Sequence, residues 1–388
     1  MSSNVFSLGG AMSLFLPVVT LAQAPVYESA EHSFRVVTVA EGLQHPWSIA
    51  FLPDGDVLVT ERPGRLRIIR DDKLLPFAVD GVPEVRSGNQ GGLHEVLPHP
   101  DFENNRLLYL SFATSRMGGA EGSTRVVRGR FQNDRLTDVE EIFLAEAWVA
   151  GQGHYGGKLA FDDEGYLFVT VGDRQVPPTG DLDSHPAQDR SNHQGTISRL
   201  HDDGSIPDDN PFVGHGNFQP SIWSYGHRNP QGLAIHPETG DIWSTEHGPQ
   251  GGDELNVILP GVNYGWPVIG YGVNYRSGTP IHASNEREGM AQPAAFWIPS
   301  IGASGLMIYD GDLFPEWRGN IFAAGLATNH RRLTRFVVDG TRVMTREPLM
   351  LGDYRIRDVR QSPDGYIYIA EDHRGGDLTR ILRMEPVD

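Results

Sequence analysis

The sequence predicts an all-β fold, and three observations support this prediction. Glycine and proline are abundant, with 46 and 27 residues, which is typical of many short strands joined by tight turns. Long runs of Ala, Glu, Lys and Leu at helical spacing are missing. A pattern of two apolar stretches around a turn recurs six times along the chain. Together these features favour a repeated β structure over a helical one.

Each copy of the repeat is predicted to form a β-hairpin. Several copies carry Asp-Gly or Glu-Gly at the turn, and these residues tolerate the positive φ angles that tight hairpins require. In one copy, Leu167, Val169 and Val171 alternate with other residues, which predicts that one face of the strand is buried. A two-stranded unit cannot bury that face alone, so radial stacking into a six-bladed β-propeller is expected. The six copies are Ile49–Glu61, Glu95–Ala113, Leu159–Asp173, Leu233–Gly248, Met307–Ala327 and Val359–His373.

The intervals between the copies are unequal. The longest additional stretches, Asp173–Ser221 and Gly261–Pro299, are rich in Gly, Pro, Asn and Tyr, which predicts long loops over one mouth of the propeller. Strands are also predicted at Phe34–Val39 and Thr379–Met384, and their pairing would join the first and last blades. Residues 34–388 are therefore expected to form one propeller domain.

The N-terminus has the pattern of a signal peptide. Ala11–Ala22 is an apolar run too short to span a bilayer, and Ala22-Gln23-Ala24 fits a signal-peptidase site. We therefore expect residues 1–24 to be removed and the mature chain, with no membrane span, to be periplasmic. The alternative is a frayed apolar tail, because no Lys or Arg precedes the run.

Composition excludes several classes of partner and chemistry. With 50 acidic and 32 basic residues, the net charge of −18 repels phosphate backbones and anionic membrane surfaces, so a nucleic-acid partner is not expected. The chain has no cysteine, which excludes disulfides, thiolate metal sites and cysteine nucleophiles. Any metal must therefore be bound by oxygen atoms or histidine.

Three phrases of the sequence indicate a family. They are GHRNPQGLA (Gly226–Ala234), GDELNVILPGVNYGWP (Gly252–Pro267) and RIRDV (Arg355–Val359). On these phrases the chain, from about Gly42 to its C-terminus, resembles the glucose and sorbosone dehydrogenases that depend on pyrroloquinoline quinone (PQQ), and within them the aldose sugar dehydrogenase branch. The resemblance implies a six-bladed propeller, PQQ and calcium as cofactors, and oxidation of an aldose at its C1 hydroxyl to the lactone, with hydride transfer to C5 of the quinone.

Such a reaction needs a base that is neutral at working pH, and histidine fits this requirement. His154 lies in a glycine-rich strand entry, and Asp173, at the end of the same hairpin, is placed to orient its ring. With the resemblance, we predict that His154 is the catalytic base and that Arg228 stabilises the negative charge that develops on the quinone. A purely structural histidine is the alternative, because the chain has 15 histidines.

The resemblance also implies residues that bind the cofactor. Arg355 and Arg357, two positions apart, are predicted to point to the same side and to clamp its carboxylates. The amides of Gln90 and Asn229 are predicted to hydrogen-bond the cofactor, and Tyr275 to cover it. Without the resemblance, two solvated strand arginines and ordinary turn amides are the alternatives.

Calcium prefers oxygen ligands, including backbone carbonyls. By resemblance, the carbonyls of Gly248 and Pro249 are expected to face a calcium ion that polarises the quinone. A second, structural calcium ion is expected at Glu254 and the carbonyl of Tyr264. Without the resemblance, Gly-Pro is simply a turn.

One position departs from the larger glucose dehydrogenases. Where that branch has a lysine in a Ser-Leu-Lys phrase, this chain reads Gly325-Leu326-Ala327, so one cationic contact is expected to be missing.

Two other functions stay open: a calcium-dependent lactonase on a propeller, and a non-catalytic binding propeller. The sequence leaves the electron acceptor, the preferred sugar and the choice between monomer and homodimer undecided.

Overall fold

The computed structural model describes residues 24–387, and within this range the strands form six antiparallel sheets that make a β-propeller. The predicted six-bladed fold is therefore confirmed. The predicted signal peptide lies outside the described residues except for Ala24. In the described range, no helix has the length and apolarity that crossing a membrane requires.

The first strands of the chain belong to the last blade, and blades one to three follow them. The strands β1 (Val26–Glu28) and β2 (Ser33–Gln44) come first. Blade one contains β3 (Pro46–Phe51), β4 (Val57–Glu61), β5 (Arg65–Arg70) and β6 (Lys73–Ala78). Blade two contains β7 (Leu93–Pro98), β8 (Leu107–Arg116), β9 (Glu121–Gln132) and β10 (Arg135–Leu144). Blade three contains β11 (Leu159–Phe161), β12 (Leu167–Val171), β13 (Thr196–Leu200) and β14 (Ile222–Tyr225).

The remaining blades complete the ring. Blade four contains β15 (Pro230–Ile235), β16 (Ile242–Glu246), β17 (Asp253–Ile258) and β18 (Ala295–Trp297). Blade five contains β19 (Ala303–Ile308), β20 (Ile321–Gly325), β21 (Leu333–Asp339) and β22 (Arg342–Leu349). Blade six contains β23 (Ile356–Gln361), β24 (Ile367–Glu371) and β25 (Leu378–Pro386), to which β2 and then β1 are added. The helical segments are the short helix α1 (Phe102–Asn105) and the 3₁₀ turns Met117–Gly119, Leu182–Ser184, Pro186–Gln188 and Pro315–Trp317.

The two ends of the described chain close the ring, as predicted. Strand β2 pairs with β25 in antiparallel register, with Val36 opposite Met384 and Leu43 opposite Thr379. Because this pairing places an N-terminal strand within the blade formed by the C-terminus, the ring closes through backbone hydrogen bonds as well as packing. The hairpins of all six repeats are present as the first two strands of the blades.

Two expectations from the sequence need correction. Strand β12 does not have one buried face: every residue from Leu167 to Val171 is buried, because both faces of a blade pack against neighbouring blades. The stretches Asp173–Ser221 and Gly261–Pro299 are not entirely loops, because they contain β13 and β18. Blade three needs β13 to pair with β12, with Leu200 opposite Leu167, so sheet pairing outweighs the loop-like composition around that strand.

Six apolar clusters lie between adjacent blades and form the core. Between blades five and six, for example, Met307 and Phe322 pack with Ile356 and Ile369. Another cluster joins blades one and two, and the others follow around the ring. Each blade buries its side chains only against its neighbours, so the stability of every blade depends on closure of the ring.

The innermost strands share an irregularity near their first residues. In β3, β7, β15, β19 and β23 the register with the second strand shifts after the first pair, as between Ile356 and Asp358. A β-bulge of this kind turns an additional side chain away from the regular alternation. At the bulges of three strands, the residue between the pairs lines the mouth of the propeller; these residues are Trp47, Gln231 and Arg357.

A cluster of charges joins blades two, three and six along the axis of the propeller, and a hydroxyl from blade one bonds to it. Lys158 Nζ lies 2.9 Å from both Glu95 Oε2 and Asp358 Oδ1, and Arg360 contacts the same two carboxylates. The Ser48 hydroxyl donates to Glu95 at 2.9 Å. Burial alone would raise the pKa of Asp358, but the cations Arg360 and Lys158 outweigh it and lower this pKa. The four charges balance one another, which is how charged groups are tolerated away from water.

We expect Lys158→Met to lower the free energy of unfolding by about 3–5 kcal/mol, because removing one partner leaves a buried carboxylate without its cation. Urea unfolding followed by tryptophan fluorescence measures this change. The matched control is Arg318→Met, which breaks the exposed pair with Asp312 and should cost less than about 1 kcal/mol. A loss for Lys158→Met as small as that of the control would contradict the prediction.

Candidate active site

A cavity of about 860 Å³ opens at one mouth of the propeller. Much of its lining lies at the starts of first strands and the ends of second strands, which antiparallel pairing brings to the same end of each blade. The loops before and after β18 contribute further residues, among them Tyr275 and Pro299. Four arginines line it, and no Asp or Glu is among its lining residues in the part of the chain that the structure describes; the arginines are Arg62, Arg355, Arg357 and Arg374. The cavity is therefore cationic in a protein of net charge −18.

Arg355 and Arg357 face this cavity together, although neighbouring side chains hold them differently. Arg355 forms an ion pair with Asp372, which is also bonded to His45 at 2.7 Å. Arg357 is buried, lies 3.9 Å from the ring centroid of Trp47 and donates to the side-chain oxygen of Gln231 at 3.2 Å. Burial lowers the pKa of Arg357 to about 9. The Nε atoms of Arg355 and Arg357 are buried without a hydrogen-bond partner among the described residues, so both arginines have free donors.

His154 and Asp173 form a buried dyad, with His154 Nδ1 and Asp173 Oδ1 2.6 Å apart. Asp173 also accepts from the indole Nε1 of Trp266 at 2.7 Å, which fixes the carboxylate on its other side. Burial and the positive charge of Arg228 lower the pKa of His154 against the opposing effect of Asp173. Burial would raise the pKa of Asp173, but His154 and Arg228 lower it further than burial raises it. A neutral His154 that donates through Nδ1 leaves Nε2 as the basic atom.

This dyad lines a second cavity of about 200 Å³ beside the first. Arg228 and Trp266 also line the second cavity, and Pro249 and Tyr275 line both. The Tyr275 side chain is 60% exposed, so it stands at the boundary of the two cavities and the solvent. A molecule bound in the larger cavity and one bound beside His154 would therefore be neighbours.

Arg228 is held in place by backbone carbonyls of the loop that follows β16. Its Nη1 donates to the carbonyls of His247 at 3.1 Å and Gly248 at 2.7 Å, and its guanidinium lies 5.1 Å from the ring centroid of Trp266. The Arg228 backbone N–H donates to Glu246 at 2.6 Å. This arrangement holds a cation beside His154 without a direct carboxylate partner for its guanidinium among the described residues.

The two predicted amide ligands hold the backbone around His154. The Gln90 side-chain oxygen accepts from the His154 N–H at 2.8 Å, and Gln90 lines the large cavity. Asn229 is fully buried, and its side-chain oxygen accepts from the Gly156 N–H at 3.2 Å. The sequence did not predict that Gln90 and Asn229 bond to the backbone. Hydrogen bonding of either amide to a cofactor stays a prediction.

The predicted calcium ligands fall in two adjacent places. Gly248 and Pro249 line the large cavity and the next small cavity. Glu254 and Tyr264 line that small cavity as well, and Glu254 lies opposite Glu246 in the register of β16 and β17. In residues 24–387, no group of three or more His, Cys, Asp or Glu side chains is arranged to hold a metal.

Three residues at the site were not predicted from the sequence. Trp47, Arg62 and His247 contact the predicted residues or line the cavities with them. Trp47 occupies in blade one the bulge position that Arg357 occupies in blade six, two residues before the start of each repeat, so an alignment extended to these residues could have found it. The contact of Trp266 with Asp173 joins residues 93 positions apart and leaves no local signal.

Comparison with known proteins identifies the family of the chain. The family model described as Glucose / Sorbosone dehydrogenase matches residues 43–380. The chain belongs to this family. Among its members, the aldose sugar dehydrogenase YliI of Escherichia coli is 39% identical over 95% of this chain and 98% of its own.

Solved structures extend the comparison to the fold. A crystal structure of a glucose dehydrogenase is 46% identical, with a TM-score of 0.83 over 90% of this chain and 98% of that one. The PQQ-bound aldose sugar dehydrogenase of Streptomyces coelicolor is 28% identical, with a TM-score of 0.74 over 94% of this chain and all of that one. Both solved structures therefore share the fold of this chain as well as part of its sequence.

We expect Asp173→Asn to lower the pKa of His154 further, because it removes the negative charge that favours the imidazolium. In the parent protein this pKa should lie below 6.5. A pH titration of ¹⁵N-histidine-labelled protein by NMR, with the His154 signals assigned from a His154→Ala sample, measures both values. A pKa in the variant that is equal to or higher than that of the parent would show that the carboxylate does not act on His154 as described.

Proposed function

We propose that this protein oxidises aldose sugars at the anomeric C1 hydroxyl to the lactone, with PQQ and calcium as cofactors. The observation that supports it most strongly is the position of the His154–Asp173 dyad beside a cavity lined with arginines. The dyad supplies a base, and the cavity supplies positive charge for a planar tricarboxylate. Membership of the Glucose / Sorbosone dehydrogenase family favours the same reaction.

The residues around the large cavity fit PQQ. Its four arginines face no lining carboxylate among the described residues, which suits an anionic ligand. Buried nitrogen atoms of Arg355, Arg357 and His247 have no partner within the described chain and are available as donors. We assign Arg355 and Arg357 to its carboxylates, Gln90 to its polar edge and Tyr275 to its exposed face. Contact of Asn229 with the cofactor stays a prediction, because this side chain is fully buried and lines neither cavity.

When bound, the ortho-quinone would accept the hydride from C1 of the sugar at its C5 carbon. His154 Nε2 would take the proton of the C1 hydroxyl as the hydride leaves, and Asp173 would stabilise the imidazolium that forms. Arg228 would place its positive charge beside the oxygen that becomes negative. Burial serves this step because it keeps His154 neutral before the proton arrives.

The donor set also fits calcium. The Gly248 and Pro249 carbonyls border the large cavity, where a calcium ion would act as a Lewis acid toward a bound quinone. Glu254 and the Tyr264 carbonyl would hold a second ion. The facing carboxylates of Glu254 and Glu246 support this assignment, since two buried like charges favour a bound cation.

Export to the periplasm remains a proposal from the N-terminal sequence pattern.

Dye-linked dehydrogenase activity on a panel of aldoses should appear when apo-protein receives both PQQ and calcium. His154→Ala should lower kcat by about a hundredfold to ten-thousandfold, because it removes the general base. The matched control is His215→Ala, at an exposed position, which should retain the parent activity. Folded protein that binds no PQQ, or a His154→Ala variant with parent activity, would overturn the proposal and make lactone hydrolysis the next assay.

Arg357→Gln should weaken PQQ binding by about tenfold to a hundredfold, because a hydrogen bond to a charged group contributes about 1.5–3 kcal/mol. Titration of apo-protein with PQQ, followed by quenching of tryptophan fluorescence, measures the affinity. Arg318→Gln, remote from the cavity lining and exposed, is the control and should bind like the parent. An affinity of the Arg357 variant within twofold of the parent would exclude the carboxylate clamp.

A further inference from the structure

The backbone that carries the dyad adopts an unusual conformation. His154, Arg174 and Gln175 have φ angles of 49°, 59° and 60°, in the left-handed region that residues other than glycine rarely adopt. Such conformations persist where surrounding contacts enforce them, and they concentrate at functional sites. A specific set of contacts must therefore hold His154 in place.

The side chain of Arg174 holds the loop directly before His154. It donates through Nη1 to the carbonyl of Gly153, the residue directly before His154. Through Nη2 it donates to the carbonyls of Gly151 at 3.1 Å and Gly122 at 3.4 Å. The planar guanidinium thus joins the loop before His154 to the neighbouring strand β9. Three carbonyls from two segments converge on this one side chain.

Packing fixes the guanidinium itself. Arg174 is 1% exposed, and its guanidinium carbon lies 3.5 Å from the ring centroid of Tyr155, which follows His154. Within residues 24–387, Arg174 forms no ion pair with a carboxylate. A buried arginine that bonds only to carbonyls keeps its full positive charge near His154, and burial lowers its pKa to about 10.

We propose that Arg174 is a positioning residue that holds the catalytic base: it fixes the left-handed backbone at His154 and thereby aims the imidazole into the small cavity. The inference rests on the proposed role of His154 as the base. It assigns to Arg174 a function that neither the dyad nor the cofactor cavity requires, because Arg174 lines neither cavity. Arg174 acts through the backbone of residues 151–154.

The charge of Arg174 also acts on the base. Burial lowers the pKa of His154, Asp173 raises it, and the charges of Arg228 and Arg174 lower it further. The buried His247, whose pKa is lowered chiefly by burial, also interacts with His154. Removal of Arg174 should therefore raise the pKa of His154, so that the acid limb of the pH–rate profile moves to higher pH.

The test compares Arg174→Met and Arg174→Lys with the parent in PQQ- and calcium-loaded protein. For Arg174→Met we expect kcat to fall by about a hundredfold, as expected for a small misplacement of a catalytic group. We also expect the acid limb to move to higher pH while PQQ affinity changes less than twofold. Arg174→Lys keeps the charge but cannot reach three carbonyls, so it should restore the parent pH profile and only part of kcat.

Arg199→Met is the matched control for simple destabilisation. Arg199 is also a buried arginine on aromatic rings, 4.4 Å from the centroid of Tyr166 and 4.3 Å from that of Trp223. It lies on β13 opposite Phe168, away from the end of the blade that carries Asp173. Its loss should lower stability but leave kcat per folded molecule and the pH profile unchanged.

The outcomes separate this inference from the proposed function. If Arg174→Met has the kcat and the pH profile of the parent and His154→Ala is inactive, the role of Arg174 is overturned and the proposed function is not. Loss of activity in proportion to the unfolded fraction, as in Arg199→Met, would also overturn it. Full activity of His154→Ala would instead overturn the proposed function.

Discussion

The six inner strands converge on one axis, where the chain must place polar groups out of contact with bulk water. Lys158, Glu95, Asp358 and Arg360 satisfy one another there, with charges from three blades joined in one cluster. Along β23, Arg357 faces the mouth cavity, Asp358 belongs to the cluster and Arg360 borders a cavity of about 340 Å³ that contains Glu95. The cluster ties together blades two, three and six, whose loops contribute residues to the site.

The mouth shows the opposite arrangement of charge. At the axis every cation has a carboxylate, whereas the large cavity is lined by four arginines and, among the described residues, by no Asp or Glu. Arg357 is held by an aromatic ring and an amide, which leave part of its hydrogen-bonding capacity unused. Keeping a buried cation in this way is unfavourable for the empty protein and favourable for binding an anion. A strongly acidic protein can thus present a cationic pocket.

The base is built by a different means. Burial keeps His154 neutral, and Asp173 orients its ring. The backbone at His154 is left-handed, and hydrogen bonds from the His154 N–H to Gln90 and from Arg174 to the Gly153 carbonyl hold this segment. Asp173 is in turn bonded by Trp266, from the loop after blade four. The groups that hold the base thus come from the loops of blades two, three and four.

Much of this molecule could be predicted from its sequence. The six hairpins, their turns and the closing strands carry local signals, because apolar alternation and Asp-Gly or Glu-Gly turns are encoded by neighbouring residues. The motifs around His154, Arg228 and Arg357 also indicated which segments meet at the mouth. Sheet pairing, by contrast, decided that β13 and β18 are strands, since their partners are needed to complete a blade.

Tertiary structure alone decided the orientation of side chains at the site. β-Bulges in five inner strands break the alternation from which a face is predicted, and they turn Trp47, Gln231 and Arg357 to the cavity. Contacts such as Trp266 with Asp173 and Lys158 with Asp358 join residues 93 and 200 positions apart. The sequence by itself determined the repeated units and the chemistry available to them, because those depend on near neighbours. Radial packing decided which groups meet, because distant residues become neighbours only when the ring closes.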